Sequence, residues 1–155
     1  MSQGIFAACA KLESMIEAIT PKTDIHHGFT AINARTGGRV APLEARQHTN
    51  RSFEFRFNGF STDDGAAALS GRRRAPMILR VKYEVPAEEH YLERLINEDA
   101  ALLLLALKGP DYDLATSGII SLIPGAPTAE PMVDPTTEAT FIILSFPFDL
   151  LYLEA

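Results

Sequence analysis

The chain has a single cysteine, no long apolar run and no surplus of base, and each shortage removes a class of protein. Cys9 alone cannot build an intramolecular disulfide framework and fits a reducing compartment. The opening MSQGIFAACAKLE lacks the cationic segment and long apolar stretch of a signal peptide, so no export leader is expected. The most apolar stretch, Ala100 to Leu107, is too short to span a bilayer, so no membrane partner is expected. A formal charge of −6 argues against nucleic acid as the main ligand.

The usual chemical signatures are also missing. The histidines His26, His27, His48 and His90 come without HExxH, paired CxxC or an acid-rich calcium loop. Side chains of adjacent residues such as His26 and His27 diverge in an extended loop, which suits solvation better than metal ligation. Glu88, Glu89 and His90 open a helix, where acids favour the dipole and catalysis is the weaker reading. Asp111-Tyr112-Asp113 follows that helix as a turn. No serine stands in a GxSxG elbow, and "TGG" at Thr36 to Gly38 meets neither phosphate-loop fingerprint. Cys9 lies on an apolar helical stripe, which makes it a buried structural thiol. No enzyme activity, metal or cofactor is expected.

What is present is periodicity. At 155 residues with 46% apolar content, residues 1–155 read as one soluble domain with a real core. Ile5, Cys9, Leu12, Met15, Ile16 and Ile19 recur at helical steps until Thr20-Pro21. Pro21 to Asn50 holds no period and reads as a long loop. Arg51 to Gly59 and Met77 to Val85 alternate as strands, each with one charged face. A helix follows from Glu88 to Leu107, closed by Gly109-Pro110, with Leu104 and Leu105 widening its apolar stripe to bury it on more than one side. Ala115 to Ile123 and Thr137 to Phe148 are two further strands, joined by a proline-rich, extended connection from Pro124 to Pro135. Pro147 places the last strand at a sheet edge or bulge. The class is α/β (α+β), in the order α-β-β-α-β-β, with a four-stranded mixed or antiparallel sheet and helices packed on it. Phe53, Phe55, Leu79, Val81, Leu95, Ile96, Leu103, Phe141 and Ile143 are the expected core.

One stretch exceeds what a hairpin needs. NGFSTDDGAAALSGRRRA, Asn58 to Ala75, reads as a long loop between the first two strands, where two to five residues would suffice. It sets Asp63 and Asp64 against Arg72, Arg73 and Arg74. A solvated tip, a phosphate contact and a docking element for a neighbouring subunit or assembly partner all fit it.

The element order, with RSFEFRF paired to ILRVKYEV, the helix HYLERLINEDAALLLLAL, then SGIISLIPG and ATFIILSFPFDLLYLEA, resembles the tail terminator proteins of long-tailed bacteriophages, of the lambda minor tail protein U type. The resemblance spans nearly the full chain, and its sharpest parts are the VxYEV strand and the INED helix. It implies a structural virion protein that forms a hexameric ring with copies of itself. The ring would cap the tail tube protein, end tail polymerisation and offer a joining surface to a head-connector or neck protein. DNA would be met only as the passing genome. The protein would be assembled in the host bacterial cytoplasm and reside at the neck end of the tail. Asp63, Asp64, Arg72, Arg73 and Arg74 are then candidates for the subunit or partner interface. Phage head-closure or tail-completion proteins are the alternative, and a small ligand-binding or enzymatic α+β domain is a more distant one.

Overall fold

The computed structural model describes residues 5–22, 28–31, 51–57, 61–62, 72–84, 89–107, 119–133 and 140–153. Among them run α1 (Ile5–Glu17), β1 (Thr30–Ala31), β2 (Ser52–Phe57), β3 (Ser61–Thr62), β4 (Arg72–Glu84), α2 (Glu89–Leu107), β5 (Ile119–Pro124), β6 (Thr128–Val133) and β7 (Thr140–Leu153). The α+β class holds, and the sheet is mixed: β1 pairs β2 in parallel and the remaining pairings are antiparallel.

The four-stranded sheet and the α-β-β-α-β-β order need correction. Among the described residues seven strands share one sheet with the path β1-β2-β4-β7-β5, while β3 lies on β4 and β6 on β7. β1 and β3 have two residues each, too few for alternation to register. β6, TAEPMV, falls in the stretch expected to be a rigid connection. Its proline suggests a break, yet an edge strand tolerates proline. Arg72 to Ala75, expected in the loop, begin β4 instead.

The backbone of the sheet is the β4–β7 ribbon, paired over all 13 residues of β4 from Arg72↔Leu153 to Glu84↔Phe141 without a slip. Each flank of this ribbon is a pair of short strands with one residue of slip between them. On one side the pairing moves from Phe57↔Met77 to Ser61↔Arg74. On the other it moves from Pro124↔Phe148 to Thr128↔Ser145.

The second slip accommodates Pro147. β7 is an interior strand, so of the expected edge or bulge the edge is corrected, while a bulge-type irregularity does stand at Pro147, where residues 125–127 oppose residues 146–147. The Gly125 amide donates to the Pro147 carbonyl at 2.7 Å. N–H and C=O of one strand residue point to the same side, so the missing donor of Pro147 faces the gap between β5 and β6. Gly125 suits this close approach, since an added Cβ would stand 3.1 Å from the Pro147 carbonyl oxygen and force a small shift.

One face of the sheet is covered by the helices. Phe53, Met77, Leu79, Val81, Tyr83, Phe146, Phe148 and Leu150 pack with Leu12, Ile16, Leu95 and Leu103 in one buried cluster. Of the expected core, Phe55 is half-buried and the rest are buried, but Phe141 and Ile143 lie on the opposite face with Met132. There the Lys82 ammonium sits 4.5 Å from the centre of the Phe141 ring. The apolar stripe of α2 is narrower than expected, for Leu105 is 72% exposed. No helix among the described residues is long and apolar enough to cross a membrane.

Candidate functional site

The most unusual local chemistry is a polar cluster inside the core. On α2, Asp99 stands four residues after Leu95 and four before Leu103, on the stripe that faces the sheet. A carboxylate buried there must be paired, because an unpaired buried charge is strongly unfavourable. Arg51 supplies the pair with two parallel bonds: Nε donates to Oδ2 at 2.6 Å and Nη2 to Oδ1 at 3.1 Å. The Tyr83 hydroxyl also donates to Oδ2, at 2.7 Å. Arg51, Asp99 and Tyr83 are all 0% exposed. Burial first, then the Asp99 charge and hydrogen bond, push the Tyr83 hydroxyl well above its usual 10.0.

The backbone that presents Arg51 is strained. Its φ is 62°, the left-handed region that glycine occupies at little cost. Its N–H donates to the Lys82 carbonyl at 2.8 Å, while the next residue, Ser52, is the register partner of the same Lys82. Two residues thus oppose one, a bulge at the start of β2. The Arg51 carbonyl accepts from the Thr30 amide at 3.1 Å, and the guanidinium lies 5.7 Å from the Phe29 ring centre. One residue therefore ties β1, β2, β4 and α2 together. With no exposed surface, the cluster cannot meet a substrate, and its chemistry is that of a lock.

The arginine triplet sits at the start of β4. Arg73 and Arg74 pair on one side with Thr62 and Ser61 and on the other with Tyr152 and Leu151. Arg74 bridges Asp149 of β7 at 3.1 Å, with about a third of each side chain exposed. Asp63 and Asp64 lie outside the described residues, as do His26, His27 and His48, Glu88, and Asp111 to Asp113. His90 is placed in α2, and Cys9 is buried in the core. Among the described residues no cluster of three His, Cys, Asp or Glu side chains is placed to hold a metal.

Two surface features remain. A recess of about 280 Å³ opens where the ribbon meets the β5–β6 slip, lined by Pro76, Met77, Ile123, Pro124, Pro147 and Asp149 among others. Its walls are mainly proline and aliphatic carbon, with no set of acid, base and nucleophile. The other feature is β6, exposed at every position except the half-buried Met132. Ala129, Pro131 and Val133 stand opposite Leu144, Ile142 and Thr140, so they extend the helix-side face of the sheet into solvent.

Asp99 was detectable in the sequence as an acid in the middle of an apolar helical stripe. No protein-family model matches the chain, and no curated protein is similar to it in sequence.

Proposed function

We propose that this protein is a structural component of a phage virion: a tail terminator that caps the tail tube as a ring, halts its polymerisation and presents the surface on which the head connector docks. The observation that carries the reading is β6. The helix-side face of the sheet runs on through Ala129, Pro131 and Val133, and Val133 is 62% exposed. A sheet face that ends in solvent suits an element finished by a neighbouring subunit. The interior supports the same reading, because its polar groups serve to lock elements together rather than to meet a ligand. The resemblance to the terminator family, in the VxYEV strand, the INED helix and the apolar final strand, supplies the specific assignment.

Deleting the gene from its phage tests this. Particles should carry tube polymers of unregulated length and no joined heads, and the purified protein should restore joining and appear as rings by negative-stain electron microscopy. Tails of normal length that join heads without the protein would remove it from this role.

A further inference from the structure

Charge is divided across the sheet. All 14 Lys and Arg residues lie at or before Lys108, whereas seven of the 20 acids follow it with no Lys, Arg or His among them. Strands β5, β6 and β7 come from that later stretch, so that lateral half of the sheet carries the acids Glu130 and Asp149 and no base, the other five acids lying outside the described residues. The other half, β2 and β4, carries Arg56, Arg72, Arg73, Arg74, Arg80 and Lys82 against Glu54 and Glu84. Arg56 and Arg74 still reach solvent there, 49% and 36% exposed, although each also holds an acid of its own chain.

The acid half ends in β6, whose outer margin is blunted against strand addition. Pro147 turns its backbone toward β5 and β6, so by alternation Ile143 does too. Glu130, opposite Ile143, therefore faces β7, and Ala129, Pro131 and Val133 turn their backbones to the open side. The missing N–H of Pro131 falls in the middle of that edge, where an added strand would leave a carbonyl unpaired. What the margin offers a partner is side chains: apolar Ala129, Pro131 and Val133 with the exposed acid Glu130.

We infer that the margin is covered by a second copy of this chain, the β6 of one copy with its Glu130 lying against the side of the next where β2 carries Arg56 and β4 carries Arg74. The complementary charge is on the same molecule and at the opposite side of the sheet, so the contact is head to tail and repeats. A twofold contact between two β6 margins would instead set Glu130 against its like. This deepens the ring reading, from which it takes closure, but the contact itself stands on charge and topology.

Sedimentation velocity of the full chain across concentration and salt tests it, with circular dichroism as a check of folding. The wild type should self-associate, more weakly as salt rises. An acid-side variant, Glu130→Gln with Val133→Ser, and a base-side variant, Arg56→Glu with Arg74→Glu, should each lose at least about tenfold in association. Mixed in equal amounts they should stop at one-to-one pairs, since each retains the half the other lacks. If Arg74→Glu unfolds the chain, Arg56→Gln with Arg74→Gln serves, with a smaller loss expected. Full-size assembly by both variants would remove this contact and leave the ring reading standing. Loss of association in variants of a protein never found in particles would keep the contact and remove the virion reading. A wild type that stays monomeric throughout, even while binding a basic partner, contradicts the contact.

Discussion

The two ends of the sheet solve opposite problems. Around α2, a charge buried at Asp99 is closed off by Arg51 and Tyr83, all at 0% exposure, and a backbone at φ 62° is held there to do it. At β6, aliphatic surface is left open, with Val133 at 62% exposure. Polar groups inside and apolar groups outside are each unfavourable for an isolated monomer. The contrast teaches that the interior spends stability to fix how the elements meet, whereas the margin leaves apolar surface that the proposed contact would cover.

The largest expected effect breaks the interior end. Arg51→Gly relieves the left-handed backbone but leaves Asp99 buried without its partner, so it should cost about 3–5 kcal/mol in denaturant unfolding. A stabilised Arg51→Gly would mean that backbone strain outweighs the pair. Arg51→Lys keeps the charge but loses the two-pronged geometry and should fall between. Leu95→Ala, in the apolar half of the same stripe, should cost about 2–5 kcal/mol. A loss below about 0.5 kcal/mol, as at ordinary surface sites, would show that the α2 face is misassigned.

Tyr83→Phe should cost about 1–3 kcal/mol, because it removes one bond to a buried carboxylate. It also sharpens the comparison through pH. The folded chain holds the Tyr83 proton more tightly than the unfolded chain, whose tyrosines titrate near 10.0. Above that pH the unfolded state has fewer protons, so the stability contributed by Tyr83 is intact below about 10 and lost as pH climbs toward the raised folded value. Between about pH 9 and 11 the wild type should therefore lose stability more steeply than Tyr83→Phe. Equal slopes would show that the hydroxyl is not held protonated by its surroundings. The smallest effect is at the slip: Gly125→Ala crowds the Pro147 carbonyl at 3.1 Å and should cost about 1 kcal/mol, read as a lower thermal midpoint.

Much of the interior was legible because periodicity reports burial. Alternation in RSFEFRF and ILRVKYEV placed Phe53, Leu79 and Val81 on the covered face, and the helical stripe placed Leu95 and Leu103. The faces of Phe141 and Ile143 were not legible, since a nearly continuous apolar run does not say which side is inner. Arg72 to Arg74 read as loop because no alternation begins before Met77, yet Arg73 and Arg74 have strand neighbours on both sides and Arg72 has one on β7. β6 was missed because proline density masks an edge strand. The Arg51–Asp99–Tyr83 cluster needed distance: its members are separated by tens of residues, and only the misplaced acid on the α2 stripe gave a local sign.

Hydrogen exchange at single β6 amides, followed from dilute to assembled protein, tests most directly that the open margin belongs to a neighbour. The amides of Ala129 and Val133 face away from β7, while those of Glu130 and Met132 face it. The first two should exchange fast in dilute protein and more slowly on assembly, as the neighbour's side chains exclude water from them, with the second two protected throughout. Ala129 and Val133 amides that exchange equally fast in both states would contradict the account.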